Sequence, residues 1–320
     1  MLRLPSFLHR TAESGGHRRS YRQIQEAFRR GTSFQVMTLL QRSLKRAPVG
    51  AFFIACLFSL RALGLCTLEP GVDVETVQVA DVFDGDTVRL EDGRRVRLVG
   101  INTPEVAHQG KPAEPLAEAA KEQLETLLKK RPIRLLVGQD SHDHYGRVLG
   151  HLFDAEGSSV IAALLQQGAG FQVAIAPNFR YLDCYLQAQK QAQEQRLGVW
   201  GHPYYDAVPA TSDQLKAGYA RVKGRLESVV LTKRAMFVEL EGQVSLKIER
   251  SAAPYIEDAL FDRLVSLSRV AKADSELWFE ARGWLSDRIT WNGNAPELVK
   301  KGVQKRYQMK ITHQVAWQIL

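Results

Sequence analysis

Asp84, Asp86, Arg97, Asn102 and Glu105 lie close together in the stretch "DGDTVRLEDGRRVRLVGINTPE". Asp84 and Asp86 are two residues apart, so in an extended chain they share a face. Asn102 and Glu105 flank a turn made by Thr103 and Pro104. A hairpin would bring these oxygens together, and carboxylate, amide and main-chain oxygens are the donors a hard cation such as calcium takes. The plainer reading stays open beside it: Asp-Gly is a common turn dipeptide, and Asp84–Gly85–Asp86 could be no more than that. Arg97 alternates onto the face of Val99 and Ile101, where an arginine needs an anionic partner. Arg147 follows the polar turn "HDHYG" and either pairs with Asp143 on the surface or joins Arg97 on a phosphate. Two guanidiniums on one phosphate would hold it bidentately and stabilise charge developing in phosphoryl transfer. His142 and His144 share a face, but no third ligand stands at a zinc spacing. His151 and His313 read as structural or solvent-facing.

The elements that must position these residues are legible as period and punctuation. Residues 74–90 alternate apolar and polar across a turn at Asp84–Gly85, and "EDGR" carries a hairpin signal before the strand 95–101. Residues 113–130 predict an amphipathic helix with Leu116, Ala120, Leu124, Leu127 and Leu128 on its apolar stripe. "IRLLVGQD" and "VLGHLFD" predict strands. "SSVIAALLQQG" predicts a second helix between a serine cap and Gly168. A third helix ends at Gly198. The Pro- and Gly-rich stretch around 206–214 predicts a linker. Beyond it, alternating segments with a helix near 254–270 predict a five-stranded Greek-key barrel of the OB type. The expected organisation is thus a basic segment with a signal or anchor over 1–70, a chemistry-bearing unit over 71–205, and a barrel over 215–320.

The 320-residue chain carries a net charge of +8. Ten Lys and Arg against two acidic residues in 1–46 account for the whole excess, so no general basic field covers the rest. "APVGAFFIACLFSL", residues 47–60, follows that basic stretch and resembles the apolar core of an export signal. A start at Met37 would give it a charged region of ordinary length. These features predict a secreted, periplasmic or membrane-anchored protein, with any membrane contact confined to this N-terminal segment around 47–66. Cys66 stands where a lipidated cysteine could stand. With Cys56 and Cys66 assigned to targeting, Cys184 is left alone and reads as a small buried residue without a disulfide.

The motifs "DGDTVRL" (84–90), "RLVGINTPE" (97–105) and "DHYGR" (143–147), with "GVWG" (198–201) closing a helix, together resemble the staphylococcal nuclease-like, or thermonuclease, family over residues 74–203. The resemblance implies a five-stranded OB-fold β-barrel with three helices, followed here by a second, smaller OB-like barrel. It implies hydrolysis of DNA, with RNA left open as a second substrate, by cation-assisted in-line attack of water on a phosphodiester; a monomer is expected. Carried onto this sequence, the Ca2+ ligands fall on Asp86, Asn102 and the main-chain carbonyl of Thr103, with Asp84 just behind them. The phosphate-binding arginines fall on Arg97 and Arg147, and the catalytic glutamate on Glu105. Tyr145 matches a residue near the bound nucleotide, and His144 stands where a lysine is expected. Asn102 replaces a usual aspartate, and the base-stacking tyrosines of the family reduce to Phe171. The competing reading is a binding module for nucleic acid or protein that kept the fold and lost the activity. A third reading makes the C-terminal barrel a docking module for single strands through Trp278, Phe279, Trp284 and Trp291.

Overall fold

The computed structural model describes residues 66–108, 110–129, 131–269 and 276–320. The basic segment, the apolar stretch 47–60 and the alternative start at Met37 lie outside the described residues. No helix among the described residues is long and apolar enough to cross a membrane.

The first half contains β1 (Glu75–Val77), β2 (Val79–Asp84), β3 (Thr87–Leu90), β4 (Arg95–Leu98), β5 (Ile101–Asn102), α1 (Ala117–Leu128), β6 (Ile133–His142), β7 (Val148–Phe153), α2 (Val160–Gln166), β8 (Phe171–Gln172) and α3 (Leu182–Glu194). Six strands form one sheet in the order β1-β6-β7-β4-β3-β2. This corrects the expected closed five-stranded barrel: no ladder joins β1 to β2 among the described residues, and the sheet is an open half-barrel. The physical reason is visible at the edges. β2 breaks register with β3 twice, at Val79/Asp81 and Val82/Asp84, which twists that edge away from regular pairing. α1 packs on β2 and buries Ala117, Ala120, Leu124 and Leu128, so a helix rather than another strand covers the open side.

The second half contains β9 (Val208–Pro209), β10 (Gly218–Leu231), β11 (Ala235–Leu240), β12 (Val244–Glu249), α4 (Asp258–Leu267), β13 (Trp278–Asp287), α5 (Ala295–Lys300), β14 (Tyr307–Ile311) and β15 (Trp317–Ile319). Here β10, β11, β12, β14 and β13 pair in a ring, closed by the β13–β10 ladder, so this half is the true OB-like barrel. Closure removes the sheet edges, and the alternate residues of β10 and β13 fill the interior. Phe279 belongs to that core, whereas Trp278, Trp284 and Trp291 are each more than 40% exposed. Within 206–214, β9 pairs with β10 and Ala210 is fully buried, so this stretch packs against the barrel.

Cys66 and Cys184 form a disulfide with a Cα–Cα distance of 5.6 Å. Cys184 is therefore not a lone apolar residue, and the Cys66 sulfur is taken by a protein bond rather than offered to a lipid. The same N-terminal segment is stitched down by Ser159 N–H donating to Cys66 O and by an Arg180–Glu69 ion pair of 2.7 Å.

His151 and His313 are both buried. The His151 ring shares a 2.9 Å hydrogen bond with Tyr185 Oη. Burial, helped by the positive charge of Arg180, pulls the His151 pKa down to about 4. A depressed pKa gives stability that is fully present above the unfolded value near 6.5 and is lost as pH falls towards 4. The expected loss from this residue is up to about 3 kcal/mol, because the unfolded chain takes up the proton first. Urea unfolding from pH 7 to pH 4 should show a shallower fall for His151→Gln than for the unsubstituted chain. Parallel curves would mean that His151 is not buried neutral.

Candidate active site

Gly85 starts the site. A Cβ there would stand 2.8 Å from Ala120 Cβ and 2.9 Å from the Thr103 side chain, so the glycine lets the β2–β3 turn press against α1 and the 103 turn. Asp84 Oδ1 accepts the Asp86 N–H at 2.9 Å, an Asx-type bond that sets the turn. Asp86 is 3% exposed. Its Oδ1 accepts from Thr87 Oγ1 at 3.1 Å and pairs with Arg97 Nη1 at 2.9 Å, and its Oδ2 accepts the Thr103 N–H at 2.9 Å. Burial pushes the Asp86 pKa up to about 6, against the pull of Arg97 and with a further push from Asp84. The turn reading and the cation reading of Asp84–Gly85–Asp86 are thus compatible: the turn is what drives one carboxylate inward.

Arg97 is where β4 meets this carboxylate. Besides Asp86, its Nη1 donates to the carbonyls of Leu98 and Ile101, each at 3.0 Å, and its Nη2 donates to Asn102 Oδ1 at 3.3 Å. The anionic partner that an arginine on this strand face required is Asp86. The guanidinium therefore lies against the oxygens expected to hold a cation.

Glu105 follows the buried Asn102–Thr103–Pro104 turn and is exposed as a residue. Its carboxyl is nonetheless partly desolvated. That desolvation, with the charges of Asp86 and Glu114, pushes its pKa up, while Arg97 and Arg147 pull it down. Arg147 arrives through topology. β7 runs parallel to β4, with Val148 opposite Val96 and Leu149 opposite Arg97, so the residue before β7 is carried to the β4 end of the site. Its Nε bonds Asp143 Oδ2 at 2.7 Å, the surface pairing allowed for in the sequence. Against the push of partial burial, Arg147 holds the Asp143 carboxyl below its usual range. Tyr145 is 74% exposed, with the His144 ring 3.8 Å away and the Arg147 guanidinium 5.5 Å from its centroid. Phe171 is not free to stack on anything in solution: it is buried against Trp200, Tyr205 and Tyr219.

Two contributors carried no signal in the spacing. Glu114 accepts the Glu105 N–H on Oε2 at 3.0 Å and donates its own N–H to Glu105 O at 2.9 Å, closing the loop between them. β8 pairs with β5, setting Phe171 opposite Asn102. A Cβ on Gly170 would stand 2.4 Å from Asn102 O, so only glycine lets β8 approach this closely.

Among the described residues no three His, Cys, Asp or Glu side chains cluster as a ready metal site. The donors read from the sequence are different in kind: one buried carboxylate, one amide oxygen and one main-chain carbonyl. Oxygens of these kinds are the donors a hard cation takes. In this structure the Asp86 oxygens accept from Thr87, Arg97 and the Thr103 N–H, and Asn102 Oδ1 accepts from Arg97.

The family model for staphylococcal nuclease homologues matches residues 95–202, which includes Arg97, Asn102, Glu105 and Arg147 and begins after Asp84 and Asp86. The thermonuclease of Staphylococcus intermedius is 33% identical over 129 residues, covering 39% of this chain and 76% of that protein. The thermonuclease of Staphylococcus hyicus is 29% identical over 131 residues, covering 40% of this chain and 77% of that protein. Endonuclease YncB of Bacillus subtilis is 28% identical over 128 residues, covering 38% of this chain and 60% of that protein. With a thermonuclease 33% identical and matched across three-quarters of its length, on an open half-barrel that pairs Asp86 with Arg97, the chain belongs to the staphylococcal nuclease homologue family.

Proposed function

We propose that the protein is an exported nuclease that hydrolyses phosphodiester bonds of DNA, and of RNA, with Ca2+ as its cofactor. The observation that carries this reading is the buried Asp86–Arg97 ion pair of 2.9 Å, with Asp86 also holding the Thr103 N–H in the turn that leads to Glu105. A buried carboxylate, a cation and the turn that carries the base thus form one hydrogen-bonded unit. Glu105, exposed and with a raised pKa, accepts a proton from the attacking water or orients it. Arg97 and Arg147 bind the phosphoryl oxygens and stabilise the charge that grows on them in the transition state. Asp86, Asn102 Oδ1 and the Thr103 carbonyl would hold the cation, with Asp84 behind them. Bound there, it would supply Lewis-acid polarisation of the phosphoryl group. Tyr145, with His144 beside it, offers an exposed ring at the edge of the site for the nucleotide. The complete set of Asp86, Arg97, Glu105 and Arg147 argues against a module that has lost its activity.

Export is supported by the basic and apolar N-terminal segments and by the Cys66–Cys184 disulfide, a bond that persists in oxidising compartments. The direct test is incubation of the protein with plasmid DNA, with calcium or with chelator, resolved on a gel. Nicked and linear products are expected with calcium and none after exhaustive chelation. Full cleavage under chelation would remove the cation from the mechanism.

Asn102→Asp adds a negative charge beside the cation and should strengthen its binding, because ligand charge tunes such sites. A drop of about fivefold in the calcium concentration for half-saturation, measured by calorimetry, is the expected scale once desolvation has offset most of the Coulomb gain. An unchanged midpoint would make Asn102 a turn residue and Arg97 partner only.

A further inference from the structure

The outward face of the barrel at β10 and β13 meets the rest of the protein at the two arms of the candidate site. On that face Tyr219 lies opposite Trp284, and Arg221 lies opposite Arg282. The Tyr219 ring stacks on Phe171 with centroids 5.2 Å apart. Arg282 Nη2 reaches Gln172 Oε1 at 3.5 Å. Phe171 and Gln172 are the whole of β8, which pairs with Ile101 and Asn102. The first arm therefore runs from the barrel through two residues to Asn102 and Thr103. The second runs through Arg221. Its guanidinium lies 5.0 Å from the Trp200 centroid, and its Nη1 donates to Tyr205 O at 3.3 Å. Tyr205 Oη in turn donates to Pro115 O, beside Glu114, whose carboxylate and N–H fix Glu105.

A two-stranded ribbon as short as β5–β8 does not hold its own place, because a pair of this length is unstable without something packed on it. α3 supplies one support, since Gln189 Oε1 accepts the Gln172 N–H at 2.8 Å. Trp200 and Tyr205 pack on Phe171 as well, and the barrel adds a further support through Tyr219 and Arg282. We propose that Tyr219, Arg221 and Arg282 form a positioning surface, through which the barrel holds Asn102, Thr103 and Glu105 in place. The inference rests on the reading of those three as active-site residues. It gives the C-terminal barrel a part in the reaction without any contact with substrate, distinct from docking a nucleic acid strand on exposed tryptophans.

The test uses the full-length protein with Tyr219→Ala and Arg282→Gln, with Tyr219→Phe as the conservative variant and Trp278→Ala as the control. Tyr219→Phe keeps the ring on Phe171, and Trp278 is exposed at the other end of β13. Amide exchange is followed at Thr103, whose N–H bonds Asp86 Oδ2, and kcat and KM are measured on the same samples. Folding of each variant is checked by its melting transition, and Arg282→Gln serves if Tyr219→Ala does not fold. Exchange at Thr103 should rise about tenfold as the ribbon opens locally. Turnover should fall at least about tenfold, with KM changing less than about twofold, because small misplacements of reacting groups act on the chemical step. Trp278→Ala should behave as the unsubstituted protein, and Tyr219→Phe, which keeps the ring but loses the hydroxyl's hydrogen bond to Arg282, should recover most of what Tyr219→Ala loses. Unchanged exchange and unchanged kcat in the folded variants would overturn the proposal. So would raised exchange with unchanged kcat, since the site would then not depend on this support. If the unsubstituted protein cleaves nothing, the nuclease reading fails by itself, and exchange at Thr103 alone decides whether the barrel holds the ribbon.

Discussion

Arg97→Ala should lower turnover by about two to three orders of magnitude, the scale of losing one charge-stabilising contact in a transition state. Two effects add. The substitution removes a positive charge placed to meet phosphoryl oxygens. It also strips Asp86 of its ion-pair partner, leaving a buried carboxylate beside Asp84. Breaking a buried pair from one side costs about 3–5 kcal/mol, so the melting temperature should fall with the activity. Arg97→Lys separates the two. It restores a charge near Asp86, and with it much of the stability, but a lysine cannot reach Asp86, Asn102 and two carbonyls in the fork that a guanidinium provides. Turnover should therefore remain low in Arg97→Lys while stability recovers. Glu105→Ala and Arg147→Ala should each lose at least about a hundredfold in turnover by the same reasoning, with little effect on stability for the exposed Glu105. If Arg97→Ala folds and cleaves within tenfold of the unsubstituted protein, the assignment of this site is wrong.

The surroundings of Asp86 are legible because most of them are local. Asp84, Asp86, Arg97, Asn102 and Glu105 sit on one hairpin and the turn that leaves it, so strand alternation and turn chemistry suffice to bring them together. The polar turn before β7 leaves Arg147 open between Asp143 and the site; only the family resemblance assigns it to the phosphate, and in the structure it pairs with Asp143. The rest depends on contacts that leave no period in the sequence. Nothing around Phe171 announces that it will pair with Asn102, because two residues are too few to alternate. Glu114 shows in no motif, since its role is a pair of hydrogen bonds across a loop. The openness of the first sheet has the same origin. Each strand of 74–153 could be read singly, but whether the two edges meet is decided by the register breaks in β2 and by where α1 packs. Gly85 and Gly170 both mark backbone pressed against the 102–103 turn, but a glycine shows a close approach without saying which residue makes it.

The disulfide is the other non-local contact. The sequence does not announce it, because Cys66 directly follows the apolar N-terminal segment and lies far along the chain from Cys184. Cys66 and Cys184 are separated by 118 residues, and in the chain-entropy account closing a loop of that size stabilises the fold by about 5 kcal/mol, with real proteins often showing less. The double substitution Cys66→Ala/Cys184→Ala should therefore lower the melting temperature by about 10 °C, taking about 2–4 °C per kcal/mol for a unit of this size. The unfolded state carries most of the effect, so no large change in the site itself is required for it. Dithiothreitol supplies an independent arm. It should lower the melting temperature of the unsubstituted protein to about that of the double variant, and leave the double variant where it was. If reductant shifts neither, the two sulfurs are not bonded in the folded protein. The support that an oxidised cysteine pair lends to export would fall with them.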